Sequence, residues 1–154
     1  MDEEALDKLH PDFVKVVRIE AALAMFPFLV AALILELSGT LPTGLAILPM
    51  VVVALAIVAL LPLRRYNARG FAMSDDRLRV VRGVLFRADV VVPFSRVQHL
   101  DVTQGPIERL FGLATLTLHT AGTHNHSVAL PGLDHARASA MREEIRQHVK
   151  RESM

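Results

Sequence analysis

"SRVQHLDVTQGPIERLFGLATLTLHT", Ser95 to Thr120, decides how the chain is read. Ser95–Gln104 alternates, with Val97, Leu100 and Val102 on its apolar side and an irregularity near His99. Such alternation is the mark of a half-buried strand. Gly105-Pro106 stops it, because proline cannot donate to a strand ladder. Ile107–Phe111 is too short for a long helix and reads as one turn leading into Gly112. Leu113–Ala121 then alternates again through Ala114, Leu116 and Leu118. Strand, break, turn and strand are the grammar of a small antiparallel β-module.

The same grammar extends on both sides. Phe71–Met73 reads as an opening strand and Ser74-Asp75-Asp76 as a turn whose short oxygen-bearing side chains bond local backbone. Arg77–Arg82 alternates, and Gly83 turns the chain into a strand over Val84–Pro93. Gly122–Asn125 turns it into His126–Leu130, where Pro131-Gly132 ends the last strand. Short strands between turn residues predict a sandwich or partly open barrel. Beyond it, Asp134 caps a helix. Ala136/Arg137, Ala140/Met141, Ile145 and Val149 recur there at helical spacing. Such a helix buries its stripe on the open end of the β-layer.

Before the module the chain changes character. Ala21–Leu35 is wholly apolar between Glu20 and Glu36, and Leu37–Leu63 carries no charge. Ser38–Gly44 divides the region with turn residues. The reading is two spans of about 17–37 and 45–63, each near the ~20 helical residues that cross a bilayer core. In lipid both must be helices, because every backbone polar group needs an internal partner. A buried soluble hairpin would normally carry a polar stripe, and 45–63 has none. A secretory signal fits less well, since an acidic leader precedes the first run and a second full-length run follows. Pro27, Pro49 and Pro62 kink or end helices. Glu20 and Glu36 lie close enough to the ends of the first span to snorkel, and that reading outweighs a proton or ion role.

The 154-residue chain has a net charge of +1, distributed unevenly. Residues 1–63 carry −4 and the remainder +5. Lys8, Lys15 and Arg18 precede the first span, Arg64, Arg65 and Arg69 follow the second, and the turn between has neither Lys nor Arg. The positive-inside rule places both termini and the β-module in the cytoplasm. Arg64, Arg65 and Arg69, together with Arg77, Arg79 and Arg82, face anionic headgroups in this reading.

At this point the residues resemble a family. "DDRLRVVRGVLFR", "VVPFSRVQHLDVTQGPIERLFGLATLTLHTAG" and "VALPGL" are similar to the YdbS-like family of bacterial pleckstrin-homology (PH) domain membrane proteins. The likeness rests on Asp76, Arg77, Leu78, Gly83, Leu85, Pro93, Ser95, Arg96 and Gln98. It continues through Gln104, Gly105, Pro106, Glu108, Arg109, Leu110, Phe111 and Gly112. It implies an α+β architecture over almost the whole chain. A two-helix transmembrane hairpin precedes a PH-like antiparallel β-sandwich or partly open barrel capped by a C-terminal helix. The expected organisation is a cytoplasmic segment (1–16), a hairpin (17–63), a basic juxtamembrane linker (64–70) and the PH-like domain (71–150). The resemblance brings no catalytic residues and no lipid-binding residue, and fold does not carry function.

The chemistry in the sequence is sparse. There is no cysteine, which excludes disulfides, thiolate catalysis and cysteine-ligated zinc. Ser95, His99 and Asp101 have the letters of a hydrolytic triad, but one short strand does not align them in series. No G-x-S-x-G elbow or Gly-rich phosphate loop occurs. His124 and His126, with His119 nearby, are the best metal candidates, yet no carboxylate or further ligand stands beside them. Few aromatics and no tryptophan weigh against nucleic acid. The expectation is a non-enzymatic protein of the bacterial inner membrane with no cofactor, nucleic acid or small-molecule substrate. Its module offers Arg96, Gln98, Glu108 and Arg109, or a strand edge, to a partner protein or a second copy. The alternatives are binding of anionic headgroups through Arg64–Arg82 and the barrel mouth, and a metal site at His124 and His126. The turn motif itself has a plainer reading: Leu110 and Phe111 plug the barrel edge, Gly112 permits the return, and Arg96 and Arg109 pair with Asp101, Glu108 or carbonyls.

Overall fold

The computed structural model describes residues 5–121 and 127–152. It divides into two units, Val14–Arg64 and a unit joining residues 1–13 to 65–154.

In the first unit, helices α1 (Phe13–Leu37) and α2 (Ile47–Asn67) are each long and apolar enough to cross a membrane. Most of their large side chains are exposed beyond the first turns of α1: Phe26 is 64% exposed and Leu55 65%. A core helix of a soluble protein would bury such residues, so exposure decides between the two readings. Glu36 has a structural role. Its carboxylate accepts the backbone N–H of Gly44 and those of Ala46 and Ile47 at 3.3 and 3.4 Å. A carboxylate there satisfies orphan donors and meets the positive end of the α2 dipole. Residues 64–67, expected to open the linker, are instead the last turn of α2.

The second unit holds two antiparallel sheets. The first has the order β1 (Gly70–Met73), β2 (Arg77–Arg82), β3 (Ala88–Pro93). A 3₁₀ turn, Phe94–Arg96, leads into the second sheet. That sheet has the order β4 (Val97–Thr103), β5 (Leu113–Thr120), β6 (Ser127–Asp134). The one-turn helix α3 (Pro106–Leu110) joins β4 to β5, and α4 (His135–Glu152) follows β6. Leu78, Val80, Val92, Leu116, Leu118, Val128 and Leu130 are buried, so the faces that alternation marks as apolar form the core. From α4 come Ala138, Met141 and Ile145, at spacings of three and four residues. The expected α4 stripe is thus shifted: Ala136 and Ala140 are exposed, and Ala138 takes the inner position. Asp134 caps as expected, accepting the Ala136 N–H at 2.9 Å.

The irregularity expected near His99 is present as a register shift between Val97 and His99. Two strand limits differ from expectation. β3 begins at Ala88, because residues 83–87 form the turn itself. Gly83 has φ +117, and a Cβ there would overlap the Phe86 carbonyl oxygen, so the tight turn needs glycine. β6 does not end at Pro131-Gly132. Ala114 pairs with Leu133 and Leu116 with Leu130, so Pro131 and Gly132 lie opposite Thr115 alone in a bulge, and the ladder resumes.

The segment before α1 packs onto this unit. Asp7 and Phe71 exchange backbone hydrogen bonds at 2.7 and 3.1 Å, covering the free edge of β1. The His10 N–H donates to the Gly132 carbonyl at 2.8 Å, and the Tyr66 hydroxyl donates to the Leu9 carbonyl at 3.1 Å. Leu9 and Phe13 are buried. Arg137 pairs with Asp7 at 2.6 Å and lies over the Phe71 ring. Covering a sheet edge in this way removes a template for unwanted pairing.

Candidate functional site

The four residues expected to form an interaction surface divide between two roles. Glu108 belongs to the turn. One carboxylate oxygen accepts the Gly105 N–H and the other the Thr115 hydroxyl, both at 2.7 Å. Gln104 donates to the Leu113 carbonyl at 2.7 Å from the other side. Together they tie α3 to the start of β5, with Pro106 opening the helix where its missing N–H costs nothing. Glu108→Ala is expected to cost about 1–2 kcal/mol, since it removes a cap and a side-chain hydrogen bond. Chemical denaturation of the detergent-solubilised chain checks this; Glu108→Gln should recover part of the loss. Arg109 is exposed, and Leu110, expected to plug the barrel edge, is 79% exposed instead.

Arg96 and Gln98 lie elsewhere, on the 3₁₀ turn and on β4, and both are exposed. The pairing expected between these arginines and Asp101 does not form. Asp101 accepts from His99 at 2.9 Å and His119 at 3.2 Å, so one carboxylate bridges two imidazoles on the outer face of the sheet. His124 and His126 lie outside the described residues, and among the described residues no group of three or more His, Asp or Glu is arranged to hold a metal.

Gln98 opens onto a groove of about 610 Å³ between β4 and α4. β4 is an edge strand, and among the described residues its outer edge has no backbone partner. Opposite it, Arg142, Arg146 and Lys150 recur every four residues along one face of α4. Val97, Leu100 and Val149 supply apolar lining, and none of the described lining residues is acidic. Glu143 approaches Arg146 at 3.7 Å from outside. A strand edge beside a row of cations can take an extended, negatively charged chain.

The basic residues expected at the membrane also divide. Arg64 and Arg65 are exposed on the last turn of α2. Arg69 is half-buried with its guanidinium 5.4 Å from the Phe13 ring centroid, so it also serves packing. Arg79 is held by Asp89 through contacts of 2.9 and 3.1 Å from its Nε. That hydrogen-bonded guanidinium keeps the Asp89 carboxyl below the usual carboxylate range.

A family model described as "Bacterial PH domain" matches residues 17–149, both apolar helices and nearly all of the β-unit. The chain belongs to the bacterial PH domain family. This bacterial PH domain protein is 30% identical over 92 residues to the UPF0699 transmembrane protein YdbS of Bacillus subtilis (strain 168). The alignment covers 60% of this chain and 56% of that relative, so the chain spans little more than half of the curated protein it matches. No solved structure matches. Together with α1 and α2, the match places this bacterial PH domain protein in a membrane, in a family of PH-like-domain membrane proteins rather than of enzymes.

Proposed function

We propose that this chain is a non-enzymatic docking protein of the bacterial inner membrane. Both spans cross the bilayer, and both termini and the PH-like domain lie in the cytoplasm. The distribution of Lys and Arg around the spans supports that orientation. The domain receives an extended, acidic segment of a partner protein as an added strand on β4. One observation carries the reading: edge strand β4 and the basic face of α4 bearing Arg142 and Arg146 line one groove, with no acidic side chain among its described lining residues. Backbone pairing supplies direction and register. The arginines select acidic chains and speed encounter, though each exposed ion pair adds only about 0.2–1 kcal/mol. The interaction is therefore weak and transient, and the anchor offsets this by holding the domain where membrane partners are concentrated.

The test uses the full-length chain in intact membranes with a photoreactive residue replacing Gln98. The expected result is a discrete adduct mapping to an acidic segment of another protein, lost in Arg142→Glu/Arg146→Glu. Both arginines are exposed, so reversal leaves the core intact, as circular dichroism should confirm. Lipid adducts alone, adducts indifferent to the reversal, or adducts only to a second copy would each overturn the proposal.

A further inference from the structure

The turn between β2 and β3 presents apolar side chains to water. Leu85 is 88% exposed and Phe86 89%, more than any other large apolar side chain described in this unit. They are neighbours in sequence, so an alternating strand could bury only one of them. The turn is also built: Gly83, at φ +117, fixes a geometry that other residues adopt only under strain. Arg82 and Arg87 flank the tip and are exposed.

Where the turn lies within the unit matters equally. Gly83, Leu85 and Arg87 border a depression of about 350 Å³ with Lys8, Arg69 and Gly70. Gly70 comes seven residues after Leu63, where the uncharged run ends. The tip thus sits beside the part of the domain that the chain holds within a few residues of the bilayer. Apolar side chains ringed by Lys and Arg match the membrane interface, where acyl chains lie beneath anionic headgroups.

We propose that the 83–87 turn is a membrane-inserting element: Leu85 and Phe86 enter the interfacial layer while Arg82, Arg87 and Lys8 meet lipid phosphates. Because the chain is already anchored, insertion does not recruit the domain. It fixes which face of the domain meets the bilayer. This proposal is independent of the groove beside β4.

The chain has no cysteine, so Phe86→Cys gives a single attachment point for an environment-sensitive dye. The labelled full-length protein is reconstituted into vesicles of phosphatidylcholine and phosphatidylglycerol, with Leu110→Cys as the exposed reference. Expected at position 86 are a blue-shifted emission, quenching by shallow nitroxide lipids, and several-fold weaker quenching by aqueous iodide than at 110. Leu85→Cys repeats the measurement should Phe86→Cys perturb the fold. Equal iodide quenching at 86 and 110 would overturn the proposal. Shielding that appears only in native membranes, and not in these vesicles, would overturn it too by assigning the tip to a protein surface.

Discussion

Gly132→Val is expected to lower the stability of the β-unit by about 3 kcal/mol or more, combining left-handed backbone strain with steric exclusion. Gly132 has φ +73 and sits in the β6 bulge. A Cβ there would lie 2.8 and 2.9 Å from Cγ and Cδ2 of Phe13, a buried ring with little room to move. The His10 N–H also bonds the Gly132 carbonyl, so a shift at the bulge strains the segment before α1 at two points. Gly112→Ala is the comparison. Gly112 has φ +65, but a Cβ added there would meet nothing within 4 Å, so only the backbone cost of about 1–2 kcal/mol applies. Thermal denaturation in detergent ranks the two variants, and hydrogen exchange at Asp7, His10 and Phe13 locates the damage. Equal losses, or unchanged exchange at those amides in Gly132→Val, would show that the close approach to Phe13 is unimportant.

The same glycine shows where sequence reasoning stops. Alternation locates β2, β4 and β5, because a period of two reports directly which side chains face a core, while the other strands are legible from the turn residues that bound them. The irregularity near His99 and the cap at Asp134 are legible because each disturbs or starts a local pattern. Pro131-Gly132 looks like a strand end because both residues weaken ladders locally. That the ladder resumes depends on Leu133 pairing with Ala114, a long-range fact. The docking of residues 7–13 is hidden for the same reason, since its partners Phe71, Gly132 and Arg137 are distant in sequence. Leu110 misleads because an apolar residue after a turn usually points inward. Two further signals stand in the sequence itself. The four-residue spacing of Arg142, Arg146 and Lys150 puts all three on one face of α4. Val84-Leu85-Phe86 is a continuous apolar run following a turn glycine, where a half-buried strand would alternate.

Leu118→Ala is the second large effect, with an expected loss of about 2–5 kcal/mol, the range for emptying a fully buried leucine site. Leu118 is 0% exposed, in the central strand of the second sheet, and pairs with Leu100 on one side and Val128 on the other. The helix α4 packs against both β4 and β5, so the strand is confined above as well as laterally. Three surroundings held by separate ladders and a helix cannot all close onto a vacated volume, which argues for the upper part of that range. Leu110→Ala removes the same atoms from a site 79% exposed and should stay within about 0.5 kcal/mol. Side-chain chemistry is identical in the pair, so the difference reports mainly burial, with alanine's poorer strand preference adding up to about 1 kcal/mol at Leu118. Denaturation of both full-length variants under one detergent condition decides it. A loss at Leu110 approaching that at Leu118 would mean that α3 packs against something when the protein is in solution, and that the turn is not a free surface.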